Sequence, residues 1–375
     1  MILGLIVLLT LGVEAVENSD YELNGYIRGT YHIHDIKNDK KYEDDAIGGK
    51  LHYETPSYEG MKLGTSLYFT SKLFNDDNSD IIPLRGEYEK SYTILGELYL
   101  EGKLGETRLK IGRQELNTPF ADMDDIGMVP NTFEGLTLVN NDVENLELFV
   151  GQINKMSGVG AEVVDEFTRV NGSDNMQIVG ATYSGIDKVT LDAWYNRLKN
   201  AEIDGIAYLA SNYEDNFQNY NYALGLQYAH QSYLLGEDTE VFGAKLDLGF
   251  QNLGVILTGA YNKINGNVAS SGFGGGPFFS ASEFLVIDNA GKDTHTKSFG
   301  VELDASTLGV NDLTLGLGKM YIETEDKKKA SEFDVCASYA INEKLIIDMV
   351  YAYLKPETVG IRNAEHLHVY VNYNF

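Results

Sequence analysis

Two histidine pairs and one acidic run are the residues of this 375-residue chain best placed for chemistry. His32 and His34 stand one residue apart near the start, and His366 and His368 repeat that spacing near the end; together they are four of the seven histidines. Imidazoles at positions i and i+2 project to the same side of an extended strand. Such a group suits Zn or Ni, or a charge patch that responds to pH; a row of solvated histidines at a rim is the plainer reading. The acidic run is Asp122, Asp124 and Asp125, with Glu115 before it and Pro119 and Pro130 on either side. Carboxylates so close together set a negative field that attracts and orients a charged or zwitterionic solute. A second run, Asn75 to Asp80, offers oxygens to Ca²⁺ but lacks the full EF-hand pattern and its downstream Glu. No GxSxG or HExxH motif is present, so a hydrolase has no marker of its own. Gly272 to Gly276 is followed by neither a helix signal nor a Lys-Ser or Lys-Thr pair, and reads as a flexible loop rather than a phosphate cradle. The single cysteine, Cys336, excludes an internal disulfide framework.

The elements that must position these residues are strands. From Tyr21 onward, segments of about ten residues alternate apolar and polar. Leu23, Ile27, Tyr31 and Ile33 share one face of the first, while Glu22, Asn24, Arg28 and His32 share the other; Leu63, Leu67 and Phe69 oppose Lys62, Tyr68 and Thr70 in the third. A period of two gives a sheet with one apolar and one polar face. Short connections such as Ser57–Gly60, Lys103–Glu106, Gly185–Lys188, Gln251–Gly254 and Ile341–Lys344 alternate with long ones over 35–45, 74–89, 115–132, 154–175 and 265–297. About eighteen strands with short turns on one rim and long loops on the other describe a closed, all-β, transmembrane antiparallel barrel. The last segment, ending in Leu367, Val369, Val371, Tyr373 and Phe375 on one face, carries a C-terminal aromatic that barrel assembly would read. Tyrosines near segment ends suit the interfacial girdles of such a barrel.

The apolar run Met1 to Val13 is too short for a spanning helix and ends at Val13-Glu14-Ala15. It reads as a signal peptide over 1–15, leaving 16–375 as the barrel. The net charge of −27 argues against nucleic acid, whose phosphates need a basic surface. The expected surroundings are outer-membrane lipid and lipopolysaccharide, with the barrel assembly machinery as the insertion partner, in the bacterial outer membrane. Both a monomer and a homotrimer fit, because a lipid face and a subunit interface are equally apolar.

A polar face turned inward encloses water, so a pore for small hydrophilic solutes is the expected function, with no cofactor. Parity places the acids Glu22, Glu97, Glu147, Asp192, Asp247, Glu302, Asp304, Asp334 and Asp348 inside, with the bases Arg28, Lys50, Arg108, Lys110, Lys188 and Lys245. The third long loop is the expected filter: Glu115, Asp122, Asp124 and Asp125 face Arg108 and Lys110 across it, and Arg28, Lys50, Lys188 and Lys245 line the wall. Closure makes the first and last strands neighbours, which brings His32, His34, His366 and His368 to one seam. An adhesin or structural barrel, and more remotely a barrel hydrolase, are the other readings; stepwise conductance in a planar bilayer separates a pore from these.

Four stretches carry a resemblance: Lys110–Asp122 (KIGRQELNTPFAD), Pro130–Leu138 (PNTFEGLTL), Gly274–Leu303 and the terminal Phe375. With the strand rhythm they cover nearly all of the mature chain, which resembles the OprD-type family of substrate-selective outer-membrane porins in the form found in epsilon-class proteobacteria. The resemblance implies an eighteen-stranded barrel, passive uptake of basic amino acids, small peptides, carboxylates or sugars, and a narrowing third loop. By motif position Asp122, Asp124 and Asp125 would be the acids of the eyelet, with Pro119 and Pro130 shaping the loop. The chain departs from the family at Gly127, where an arginine is expected, and its excess of inward acids leans toward cations.

Overall fold

The computed structural model describes residues 21–76, 84–86, 90–324, 329–356 and 363–375. The expected signal peptide and most of the Asn75–Asp80 run lie outside them. Among the described residues one antiparallel sheet contains nineteen strands; one of these, Thr168–Arg169, is a two-residue addition paired to Met156 and Lys155, which leaves eighteen in the wall. They are β1 (Glu22–Ile36), β2 (Lys41–Glu54), β3 (Met61–Asp76), β4 (Tyr92–Leu104), β5 (Thr107–Gln114) and β6 (Thr132–Val143). Next come β7 (Leu146–Ser157), β8 (Met176–Ile186), β9 (Val189–Leu198), β10 (Ile203–Phe217), β11 (Tyr220–Tyr233) and β12 (Thr239–Phe250). The wall ends with β13 (Val255–Gly266), β14 (Thr294–Asp304), β15 (Leu313–Thr324), β16 (Lys329–Ala340), β17 (Leu345–Pro356) and β18 (Ala364–Asn374).

Each strand pairs with its neighbour in sequence, and β1 pairs with β18 from Tyr26↔Asn374 to Ile36↔Ala364, so the sheet closes. Closure leaves no edge whose donors and acceptors would face hydrocarbon unpaired. The register lines up the apolar positions: Leu63 opposes Leu100, Leu100 opposes Ile111, and Ile111 opposes Leu136, all of them on the exposed outer face. That row meets lipid because a one-residue offset would turn every one of these side chains inward. Several tyrosines, among them Tyr53, Tyr195 and Tyr220, stand on the outer face, whereas Tyr68, Tyr99 and Tyr208 are buried inside. At position 64 only a glycine leaves room for one of these rings: a Cβ there would stand 2.1 Å from the Tyr99 ring.

The first connection differs from expectation. Strands β1 and β2 extend through the interval expected to be a long loop, and only residues 37–40 turn. The inward face is also less uniformly polar than a water-filled wall requires. Ile153, Ile178, Ile206, Ile264 and Ile322 point inward and are buried against Phe120, Phe273, Phe278, Leu285 and Ile287. Those partners belong to loop three (115–131) and loop seven (267–293), so the apolar core lies inside the barrel, where the loops fold in. Gly272 to Gly276, expected to be a flexible loop, is part of this packing: Phe273 bridges Ala121, and its N–H donates to the Phe120 carbonyl at 2.9 Å.

Candidate functional site

Strands β2 to β5 carry a charged ladder on their inner faces, because alternate residues of adjacent strands fall side by side. Lys50 lies 2.7 Å from Glu115 and 3.1 Å from Glu97. Ser66 donates to Glu97 at 2.5 Å, and Tyr68 donates to Glu115 at 2.6 Å. Further along, Lys62 pairs with Glu54 at 2.7 Å and Glu101 at 3.5 Å, and Lys110 reaches Glu101 at 3.5 Å. The Lys110 ammonium sits 4.0 Å above the Tyr99 ring.

Loop three enters the barrel from β5 and is fastened four and five strands away by β1 and β18. The Arg28 guanidinium donates to both carboxylate oxygens of Asp125, at 2.8 and 2.7 Å, and to the Gly127 carbonyl at 2.6 Å. Its Nε donates to Asn372 at 2.7 Å. A planar fork engaged by a carboxylate and two further acceptors fixes both position and orientation. Tyr26 and Tyr370 add donations to the carbonyls of Met128 and Ile126, each at 3.2 Å. The wall thus grips residues 125–128.

This leaves a cavity of about 760 Å³ between loop three and β4 to β10. Glu101, Glu115, Asp122, Asp124, Glu147 and Asp192 line it, as do Arg108 and Lys110, with Trp194 and the Gly275–Pro277 stretch of loop seven. Six carboxylates against two bases make the field inside negative. The Asp124 N–H donates to Asp122 at 2.8 Å. Burial raises both of these carboxyls above the ordinary aspartate range, and at Asp124 the neighbouring Asp122 charge raises it further. The arrangement can hold a cationic group in a partly dry space.

Residues 65–375 match the family described as outer membrane porin, OprD family. The chain belongs to the OprD family. It is an outer-membrane porin, a channel for small solutes in the bacterial outer membrane. Solved structures agree on the fold. OccK9 (OpdG) of Pseudomonas aeruginosa is 18% identical, with a TM-score of 0.79 over 95% of this chain and 98% of that one. A BenF-like porin from Pseudomonas fluorescens Pf-5 is 15% identical, with a TM-score of 0.83 over 95% and 99%. OccAB4 of Acinetobacter baumannii is 14% identical, with a TM-score of 0.82 over 96% and 99%. Among curated proteins none matches the chain in sequence.

In this porin the expected filter residues divide. Glu115, Asp122, Asp124, Arg108 and Lys110 share the cavity, whereas Asp125 turns away from it to the Arg28 fork. Arg28 and Lys50 face inward as parity requires, and each binds loop three rather than lining an open wall. Lys245 is on the inner face of β12, 3.1 Å from Asp247. Lys188 is not on the wall. It occupies the turn between β8 and β9 with φ 63° and pairs with Asp215 at 2.8 Å, beside the outward-facing Tyr213 and Tyr222. Alternation fails there because the pleat ends where the turn begins.

The four histidines meet at the seam, His32 opposite His368 and His34 opposite His366. They are not solvated rim residues: their exposures are 0%, 0%, 3% and 1% for His32, His34, His366 and His368. Loop seven covers them, with the Phe284 ring 4.1 Å from that of His366. Residue-type reasoning missed Glu283, Phe284 and the Gly275–Pro277 stretch as contributors. The available signal was the apolar content of loop seven, since Phe273, Phe278, Phe279, Phe284 and Leu285 are out of place in a solvated loop.

Proposed function

We propose that the cavity between loop three and the wall is the selective part of the pathway, and that it favours small cationic or zwitterionic solutes over anions. The observation that carries this reading is the company of Asp122 and Asp124: their carboxyls share one cavity with Glu147 and Asp192, and with Arg108, a base that is free of an ion pair among the described residues. Glu101 and Glu115 pair with Lys62, Lys110 and Lys50, two of which they share with Glu54 and Glu97, so most of the uncompensated charge in the cavity belongs to the other four acids. A zwitterion would lay its ammonium toward Asp122 and Asp124 and its carboxylate toward Arg108. Transit is passive, with no catalytic step. In the membrane the outer face meets lipid and lipopolysaccharide, and the barrel assembly machinery inserts the chain.

Reversal potentials in a KCl gradient test this. Wild-type channels should prefer K⁺, and Asp122→Asn with Asp124→Asn should bring the permeability ratio toward unity, about threefold or more lower. An unchanged reversal potential would remove loop three from the filter. Liposome swelling with amino acids, organic acids and sugars then ranks the solutes. Because both carboxyls have raised pKa values, their charge is lost as pH falls, starting above the range of an ordinary aspartate. Cation preference should fall over that interval in the wild type, and the part of the change due to these groups should vanish in the double variant.

A further inference from the structure

The histidine seam holds a set of nitrogens that the channel reading does not use. His32 Nδ1, His34 Nε2 and both ring nitrogens of His368 are buried with no hydrogen-bond partner among the described residues. Leaving a buried imidazole nitrogen unsatisfied is costly, so a cluster of them calls for a ligand. The remaining nitrogens are tied in ways that aim the free ones. Tyr370 donates its hydroxyl hydrogen to the Ile126 carbonyl at 3.2 Å, so its oxygen accepts at 3.1 Å from His32 Nε2–H. That tautomer leaves a lone pair on His32 Nδ1. His34 is held through Nδ1, which meets His366 Nδ1 at 2.6 Å, and its Nε2 is left over. An imidazole fixed through one nitrogen and open at the other is how a metal-binding histidine is prepared.

Backbone geometry brings these groups together. Side chains directly opposite in an antiparallel pair have Cβ atoms about 5 Å apart, and the His32 and His368 rings stack at 3.8 Å between centroids. One donor atom from each of His32, His34 and His368 lies within 4.8 Å of the others. Tetrahedral Zn²⁺ with Zn–N of about 2.0–2.1 Å needs nitrogens roughly 3.3 Å apart, a shift of about 1 Å or less per ring together with a rotation that unstacks His32 and His368 so that their lone pairs converge. Glu283 of loop seven stands beside this trio, its Oε1 3.4 Å from His368 Nδ1, so that a turn of its side chain would supply the fourth ligand. Its position is set independently, because the Glu332 carboxylate on β16 accepts the backbone N–H groups of Phe284 at 3.0 Å and Leu285 at 2.6 Å.

We propose that His32, His34, His368 and Glu283 bind one borderline divalent ion of the Zn²⁺ class, which fastens loop seven to the closing seam of the barrel. Three imidazoles and a carboxylate match Zn²⁺ and Co²⁺, and exclude Ca²⁺ and Mg²⁺, which require oxygen ligands. His366 is a positioning residue, holding His34 through Nδ1. The proposal does not depend on which solute crosses the pore.

The full-length barrel, purified in detergent and stripped with a chelator, is dialysed against Zn²⁺, and the retained metal is measured. One Zn²⁺ per chain is expected, and Co²⁺ in its place should give the intense ligand-field bands of a four-coordinate site. His34→Ala with His368→Ala should abolish retention, and Glu283→Gln should weaken it at least tenfold. Glu283 is on a loop, so its variant leaves the wall strands intact even if the double histidine variant fails to insert. No retained Zn²⁺ in the wild type would overturn the site, as would retention unchanged in Glu283→Gln together with an unchanged Co²⁺ spectrum.

Discussion

Arg28 spans two tasks that a wall residue need not combine. It satisfies its donors on Asp125, Gly127 and Asn372, and it thereby fixes the stretch of loop three that follows Asp122 and Asp124. Side-chain exposure is 11% for Arg28 and 33% for Asp125, so the pair is shielded enough for its loss to matter. Asp125→Asn keeps the shape but removes the charge from a fork that needs it, at a cost of roughly 1–3 kcal/mol. The freed loop should raise open-channel current noise and lower the midpoint of urea unfolding. Arg28→Lys should do the same, because an ammonium cannot make the bidentate contact. Noise indistinguishable from wild type in both variants would show that the loop is held by other contacts. The absence of an arginine at position 127 fits this geometry: the Gly127 carbonyl accepts from Arg28, so an arginine from β1 occupies that neighbourhood.

Loops three and seven clasp each other through backbone as well as side chains. Asp122 N–H donates to the Phe273 carbonyl at 3.2 Å, directly before a glycine-rich turn. Gly274 has φ 80°, and a Cβ there would stand 2.3 Å from the Asp122 carbonyl oxygen. Gly275, with φ 65°, would meet nothing closer than 3.4 Å. Gly275→Ala should therefore carry only the left-handed backbone cost of about 1–2 kcal/mol. Gly274→Ala adds a clash that forces the loops apart, and single-channel conductance should rise in that variant alone. Equal conductance in the two would mean that the clasp does not set the opening. This contact was not legible in the sequence. The wall was, because alternation at positions such as Leu63, Leu100 and Ile111 reports a period that only a two-faced sheet produces. The acids of loop three could also be placed near Arg108 and Lys110 from chain order and parity. Parity says nothing of depth or of where a loop turns, so it groups Asp125 with its neighbours and puts Lys188 on the wall. Pairing between two loops about 150 residues apart depends on a fold inward that no local pattern encodes.

Across the whole molecule, the charge of −27 and the closure of the barrel act together: acids can be gathered in a hydrated lumen only if the sheet closes, because an open edge would leave backbone groups unpaired and lumen charges facing hydrocarbon. The last residue completes that closure. Phe375 N–H donates to the Gly25 carbonyl at 3.0 Å, and Gly25 N–H donates to the Phe375 carbonyl at 3.0 Å. Its ring stacks at 6.5 Å on Tyr373. Deleting Phe375 removes both backbone bonds as well as the aromatic side chain, whereas Phe375→Ala removes only the ring. If seam pairing matters in its own right, the deletion should lower the yield of heat-modifiable, folded barrel further than Phe375→Ala does. It should also shift the urea midpoint further, since each unpaired backbone group costs roughly 1–3 kcal/mol where water is scarce. Equal losses in the two variants would assign the whole effect to the aromatic side chain as an assembly signal, and normal surface levels in both would show that the barrel closes without its last residue.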